Sequence, residues 1–331
     1  CALLDIGIEW LYPDDEQSYI ACNITAQQIS ERLAGQNGRI TAVYITSPDY
    51  LGNMQDIAAI ARACHENGAL LSVDNAHGAY LKFMPTPAHP MDLGVDICCD
   101  SAHKTLGVIT GGAYLHISAS APAMLAERAK ASFSVFGTSS PSYLILQSLD
   151  AANGTTEAFK SRLRAFLSAA DALKADISAH GFELTGSEAL KLSVKPKAFG
   201  YTGFDIAAAL EAANIYPEFY DPDYVVLMLS PWHSECELNA VSRTLRSLPR
   251  RSPIVSAPPR MPRPERAISP REALLAAAEK VPLTRCLGRI SAASAIGCPP
   301  AIPIVIMGER INFAAIACLE YYGIESCMVV K

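Results

Sequence analysis

Between residues 39 and 117, short apolar runs alternate with stretches of helical periodicity. The runs are Ile40-Thr41-Ala42-Val43-Tyr44-Ile45, Ala69-Leu70-Leu71-Ser72-Val73, Asp96-Ile97-Cys98-Cys99 and Gly112-Ala113-Tyr114-Leu115-His116-Ile117, with a helix expected near 54–67. Strands this apolar on both faces are expected in a mostly parallel sheet covered by helices, which makes the fold class α/β. Helices are expected near 121–130 and 141–150, and the Ala-rich stretch from about 155 to 180 reads as one long helix stopped at His180-Gly181. Beyond it, strand Leu190–Val194, helix 203–213, strand Tyr224–Leu229 and helix 234–247 predict a small α+β domain. The Pro/Arg-rich segment 249–264 predicts an exposed, semi-rigid linker, with a basic binding patch as the sharper alternative for its arginines. A helix near 270–278, the Pro-rich loop 298–303 and an amphipathic helix near 312–321 make a last module. The expected organisation is a large sheet domain over 1–152, a linking helix with the small domain over 153–248, the linker 249–264 and a C-terminal module over 265–331.

Ligands of such sheets sit beyond the carboxyl ends of strands, and two polar turns fall at that place. Asp74-Asn75-Ala76-His77 follows one predicted strand, and Ser101-Ala102-His103-Lys104-Thr105 follows another, with Lys104 thirty residues after Asp74. Pyridoxal phosphate needs an amine to hold its aldehyde, an acid beside its pyridine nitrogen and donors around its phosphate. Lys104, Asp74 and the Ser101/His103 pair supply these in turn. Taken singly, Asp74 also suits a strand-end turn and Lys104 a solvated surface; it is the combination at this spacing that predicts the cofactor. Ala76 is small enough to pack under the flat ring. His77 is a candidate for contact with the ring's phenolic oxygen or the substrate carboxylate, or else a turn histidine bonded to backbone. His103 is placed to bind phosphate or to return a proton to the substrate Cα, and Ser101 to donate to phosphate. Gly111-Gly112 lets backbone pass close by the lysine, or makes a plain tight turn. Ser47 and Tyr50 follow another strand and either orient a ligand or shape the turn around Pro48 and Gly52. A metal site built from Asp74, His77 and His103 is disfavoured by the lysine among them.

Composition narrows the classes. The chain has 331 residues, 50% hydrophobic and 18% charged, enough to bury a large core, and its formal charge of −6 leaves no footprint for nucleic acid. No Lys/Arg cluster suits a membrane surface, and no run of about 18 apolar residues marks a span. The ten cysteines are scattered, with Cys98-Cys99 the only adjacent pair and no zinc spacing, so they read as reduced, buried hydrophobes of a cytoplasmic protein. The first residues lack a secretory n-region and cleavage site.

The stretches Ile45-Thr46-Ser47-Pro48-Asp49-Tyr50-Leu51-Gly52, Leu71-Ser72-Val73-Asp74-Asn75-Ala76-His77-Gly78-Ala79 and Asp100-Ser101-Ala102-His103-Lys104-Thr105-Leu106 together resemble the Orn/Lys/Arg decarboxylases. The likeness continues in order through Thr138-Ser139-Ser140-Pro141-Ser142-Tyr143, Cys298-Pro299-Pro300-Ala301-Ile302-Pro303 and Gly308-Glu309. The resemblance implies the aspartate aminotransferase fold (fold type I of pyridoxal-phosphate enzymes), a homodimer or larger homo-oligomer with shared active sites, and decarboxylation of lysine, arginine or ornithine within polyamine metabolism. It also implies that Thr138 reaches the phosphate of the neighbouring subunit; the bland alternative is a helix N-cap ahead of Pro141. A basic substrate needs a carboxylate at the far end of its pocket. Glu309 is the first candidate, with a helix-capping acid before Asn312 as the alternative; Asp221 and Asp223 are weaker candidates and read more simply as turn formers. The same core residues serve an aminotransferase or another lyase, and a non-catalytic paralogue is a third reading. By resemblance, family members carry an upstream phosphate loop and a ring-stacking histidine. The chain begins at Cys1 without either, so it is expected to be N-terminally incomplete and to bind the cofactor less well.

Overall fold

Local signals set most element boundaries in this computed structural model, which describes residues 1–13, 18–36, 38–293 and 302–331. Helix α1 (Ala26–Leu33) starts at a reciprocal cap between Thr25 and Gln28 and is followed by strand β1 (Ala42–Thr46). Helix α2 (Ile57–Glu66) is capped by the Asp56 carboxylate on the Ala59 N–H, and its buried Ile57, Ile60, Ala61 and Cys64 form one stripe at helical spacing. Strands β2 (Leu70–Asp74) and β3 (Ile97–Asp100), the short helix α3 (Ala102–Thr105) and strand β4 (Tyr114–Ile117) complete the first sheet. Its order is β1-β2-β3-β4, parallel except for the antiparallel edge strand β4.

The strands alternate rather than burying both faces. Val43, Ile45, Leu71, Val73 and Cys98 pack with α1 and α2 into one core, while Tyr44, Cys99 and Leu115 on the opposite face are exposed. The expectation of a sheet covered on both sides is corrected: helices α4 (Ala123–Phe136) and α5 (Tyr143–Gly154) bury none of their residues, so they do not close the second face.

Helix α6 (Thr156–His180) buries Phe159, Leu163, Phe166, Ala170, Leu173 and Ile177, a stripe that repeats every three or four residues, and stops at the left-handed Gly181. The stripe packs into the largest core together with the second sheet. That sheet holds β5 (Glu183–Thr185), β6 (Lys191–Lys195), β7 (Phe219–Tyr220) and β8 (Val225–Met228) in the order β5-β6-β8-β7, all antiparallel, with α7 (Gly203–Ala212) and α8 (Glu235–Arg246) against it.

The segment after α8 forms no helix or strand as far as Glu265, yet it is pinned to its neighbours. Arg251 donates its N–H to the Phe199 carbonyl and Ile254 to that of Lys197, and the Arg251 and Arg263 guanidinium groups lie 4.1 and 5.0 Å from the rings of Tyr201 and Tyr12. Arg250, Arg251 and Arg263 thus lay their guanidinium groups against Phe199, Tyr201 and Tyr12. The C-terminal part comprises α9 (Pro270–Leu275), β9 (Ala278–Pro282), α10 (Phe313–Tyr321) and β10 (Ser326–Val330), with β9 and β10 paired antiparallel. This pair was not expected from the pattern, and of the Pro-rich loop, residues 298–301 lie outside the described residues.

Where the two sheets meet, Gly186 sits at φ +80°, and a Cβ there would lie 2.2 Å from the Leu51 carbonyl oxygen. Gly186→Ala is therefore expected to destabilise the chain by about 2 kcal/mol or more, from left-handed strain plus the clash, read as a lower urea midpoint at unchanged slope.

Candidate active site

The two polar turns leave the sheet side by side because β2 and β3 pair in parallel, with Asp74 opposite Cys99. Asp74 closes β2; its Oδ1 accepts the Ala76 N–H at 3.0 Å and its Oδ2 accepts the Tyr44 hydroxyl at 3.0 Å. The turn Asn75–Gly78 is closed by the Gly78 N–H on the Asn75 carbonyl at 2.8 Å. Gly78 leaves no room for a side chain, since a Cβ would fall 1.9 Å from Asn75 Oδ1. Ala76 is half-buried and His77 is buried in this turn.

Lys104 lies in α3, and its Nζ is 3.0 Å from His77 Nε2. An ammonium only donates, so Nε2 accepts and His77 carries its hydrogen on Nδ1. That Nδ1 is buried without a partner, as is Thr105 Oγ1 next to the lysine. Burial, and then the positive charges of Lys191, Lys104 and His103, lower the His77 pKa to about 2. His77 is a neutral acceptor for Lys104.

His103 is held from the other side. Its backbone N–H and its Nδ1–H both donate to the Gly112 carbonyl, at 3.2 and 3.0 Å, which leaves Nε2 as the ring's working atom. Gly112 is constrained too, as a Cβ would lie 2.3 Å from Val108 Cγ1. Ser101 precedes α3 and makes no side-chain cap, so its hydroxyl is not spent on the helix.

A second layer comes from β6. Lys191 and Glu188 form an ion pair at 3.2 Å with both side chains 1% exposed, and Lys191 Nζ also donates to the Asp49 carbonyl at 3.2 Å. The same Nζ is 5.6 Å from the Tyr50 ring, which packs edge-on against His77 with centroids 5.1 Å apart. Tyr50 donates to Glu218 at 2.8 Å, and Ser47 accepts the Gln55 N–H, so Ser47 acts in the turn while Tyr50 touches the site. Tyr44, Thr105 and Lys191 were missed in the sequence: Tyr44 and Lys191 reach the site from other strands, and only the pairing of sheets reveals them.

The structure brings Asp74, His77, His103 and Lys104 to one edge of the sheet and places other candidates elsewhere. Thr138 lies on the exposed loop between α4 and α5, where its Oγ1 accepts the Ser140 N–H at 3.1 Å; Ser142, not Thr138, occupies the N-cap position of α5. Glu309 is buried, accepts the Ile306 N–H at 2.8 Å and lines a cavity of about 140 Å³ with Tyr12, Tyr19 and Arg263. None of the four site residues lines that cavity. Asn312 itself caps α10, which removes the helix-cap alternative for Glu309. Asp221 is a turn former, accepting the Asp223 and Tyr224 N–H groups, and Asp223 pairs with Lys197 at 2.6 Å. Among the described residues, the histidine and carboxylate group that comes together is His89, Asp100 and His116 rather than Asp74, His77 and His103.

The arrangement passes the test for a pyridoxal-type group on its own chemistry. A lysine amine against a neutral histidine, a carboxylate at the head of that histidine's turn, and buried atoms without partners at His77 Nδ1 and Thr105 Oγ1 fit such a group.

Comparison with known proteins bears on the same residues. Residues 9–196 match the family model "Orn/Lys/Arg decarboxylase, major domain" and residues 258–326 match "Orn/Lys/Arg decarboxylase, C-terminal domain". Similar proteins include the uncharacterized protein YaaO of Bacillus subtilis, 30% identical over 92% of this chain and 66% of that protein. An arginine decarboxylase of Halalkalibacterium halodurans is 30% identical over 90% of this chain and 64% of that protein. The chain thus spans slightly under two thirds of the length of both. Lysine decarboxylase A from Pseudomonas aeruginosa superposes with a TM-score of 0.74 at 15% identity, covering 93% of this chain and 60% of that one. At that identity the superposition speaks for the fold.

A histidine whose folded pKa is near 2 and whose ordinary value is 6.5 binds fewer protons folded than unfolded between those values, so its contribution is lost as pH falls. Cofactor-free chain is expected to lose about 2 kcal/mol from this group alone between neutral pH and pH 5. Urea unfolding at several pH values should show a flatter acid limb for His77→Gln.

Proposed function

The chain belongs to the Orn/Lys/Arg decarboxylase family, and on that premise we propose that it binds pyridoxal 5′-phosphate and decarboxylates a basic amino acid to the corresponding amine and carbon dioxide. The observation that carries this is the Lys104 amine 3.0 Å from the neutral His77, with the Asp74 carboxylate at the head of the same turn. The α/β fold, with its mostly parallel sheet, is that of fold type I enzymes.

In this reading Lys104 holds the cofactor, Asp74 keeps a proton on the pyridine nitrogen, Ala76 lies under the ring, and Ser101 and His103 serve the phosphate. When bound, the cofactor supplies an electron sink for the pair left by the broken Cα–carboxylate bond. His77 orients Lys104 through Nε2 and offers its unpartnered Nδ1–H to the phenolic oxygen or the substrate carboxylate. Lys104, or His103 when its ring is protonated on both nitrogens, would deliver the proton that replaces the departing carbon dioxide at Cα. Tyr44, through its hydrogen bond, keeps the Asp74 carboxylate from turning.

The family supports a basic amino acid as substrate, and Glu309, whose cavity none of the four site residues lines, is proposed to meet the far end of that substrate rather than its reacting end. Burial raises the Glu309 pKa, a cost that a cationic lysine, arginine or ornithine end would repay by pairing with the charged form. The enzyme would act as a homodimer or larger homo-oligomer, in which Thr138 serves the neighbouring subunit's phosphate. The exposed Phe133, Phe136, Tyr143 and Leu144 on either side of that loop support a covered surface there. A cytoplasmic site of action is supported by the free cysteines, and no helix among the described residues is long and apolar enough to cross a membrane.

Incubation of the protein with pyridoxal phosphate and lysine, arginine, ornithine and neutral amino acids is expected to yield one of cadaverine, agmatine or putrescine by mass spectrometry. Keto acid without amine would instead assign an aminotransferase. Lys104→Ala should abolish the lysine-held cofactor's visible absorbance, and an unchanged spectrum removes the central assignment. Glu309→Gln should raise KM for the basic substrate about tenfold or more with kcat nearly unchanged, as expected for a lost charge-assisted bond.

A further inference from the structure

Asp100 ends β3 immediately before Ser101-Ala102-His103-Lys104, and its carboxylate is only 5% exposed. A buried carboxylate is costly unless saturated with donors, and this one is saturated. Oδ1 accepts from Asn75 Nδ2 at 2.7 Å, and Oδ2 accepts from His89 Nε2 at 2.9 Å and His116 Nε2 at 3.0 Å. Burial alone would raise its pKa, but the hydrogen bonds from His116, His89 and Asn75 outweigh it and hold the group well below the ordinary carboxylate range. The donors arrive from three separate segments: the turn after β2, the loop at His89 and the edge strand β4.

Asn75 is the informative partner. It is fully buried, its Oδ1 has no partner, and its side chain makes one strong bond, to Asp100. Its backbone N–H donates to the Cys99 carbonyl at 2.9 Å. Two bonds therefore tie the Asp74–His77 turn to the strand end that carries Lys104. We infer that Asp100 is a positioning residue, which through Asn75 holds the Asp74 carboxylate and the Lys104 amine at a fixed separation across the cofactor ring. The inference rests on the cofactor reading above.

The ligand atoms of His89, Asp100 and His116 lie within 4.8 Å of one another, which also describes a divalent-cation site. The tautomer decides against it. His89 Nδ1 accepts the Met91 N–H at 3.2 Å, so its proton sits on Nε2, the atom a cation would need. His89 is a donor to Asp100.

The test uses the full chain, Asn75→Ala, which removes the side-chain bond to Asp100 but keeps the backbone bond to Cys99 and leaves both histidines on Asp100, and Asp100→Asn, with folding checked by thermal melts. Each is titrated with pyridoxal phosphate, followed by visible circular dichroism, borohydride trapping and peptide mass mapping at Lys104. For folded Asn75→Ala we expect Lys104 still to be trapped, affinity to fall about tenfold, as for the loss of one charge-assisted bond, and the induced dichroism, which reports how the ring is held, to be largely lost. Affinity within about twofold of the unmodified chain together with unchanged dichroism would overturn the inference. Failure of the unmodified chain to trap the cofactor at Lys104 would sink the cofactor reading itself, and the inference with it. Zinc chloride titration of cofactor-free chain is expected to show no site sensitive to Asp100→Asn; one bound equivalent lost in that variant would make Asp100 a ligand and overturn the assignment.

Discussion

The parallel register of β2 against β3, with Ser72 opposite Ile97 and Asp74 opposite Cys99, brings the two polar turns to the same edge of the sheet. Parallel strands require a crossover, here the loop and 3-10 segments between Asp74 and Ile97, and so His77 and Lys104, 27 positions apart, become neighbours. The apolar face of the pair, with Leu71, Val73 and Cys98 packed on α1 and α2, resists a one-residue slip, because a slip would send those side chains to the open face. The placement of Lys104 beside His77 depends on that register.

Around this edge the protein buries charge, which is expensive where hydrophobic packing would be cheap. Lys191 pairs with Glu188 and Asp100 is satisfied by two histidines and Asn75, whereas the neutral His77 between cations keeps Nδ1 unpartnered. Such networks hold only one geometry well. The second sheet takes part through Lys191, which reaches the Asp49–Tyr50 turn and so the ring packed against His77. Gly52 and Gly186 allow that approach, since a Cβ at either would press on the opposing segment. The two sheets are thus coupled at the place where the chemistry is assigned.

The open face of the first sheet and the bare helices α4 and α5 contrast with the well-filled core beneath α6. The chain spans slightly under two thirds of the YaaO protein and of the Halalkalibacterium halodurans arginine decarboxylase, and the exposed aromatic residues flank Thr138, whose proposed role lies across a subunit boundary.

Much of this was legible in the residues. Apolar runs of four to six located β1 to β4, the three-and-four spacing of large side chains located α6, and Gly181 ended it, because backbone periodicity and capping are local properties. That Lys104 and His77 come together at one sheet edge was legible because both polar turns directly follow strands of the same sheet. Strands read as buried on both faces proved buried on one, since a run such as Ile40–Ile45 does not state what covers its far side. The same limit hid Tyr44, Lys191 and the Asn75–Asp100 bond, whose partners lie 30, 142 and 25 positions away. Residue type and spacing determined which chemical groups stand at the strand ends, whereas strand register and sheet-to-sheet packing alone decided which side chains meet there, because those contacts join segments that no local pattern connects.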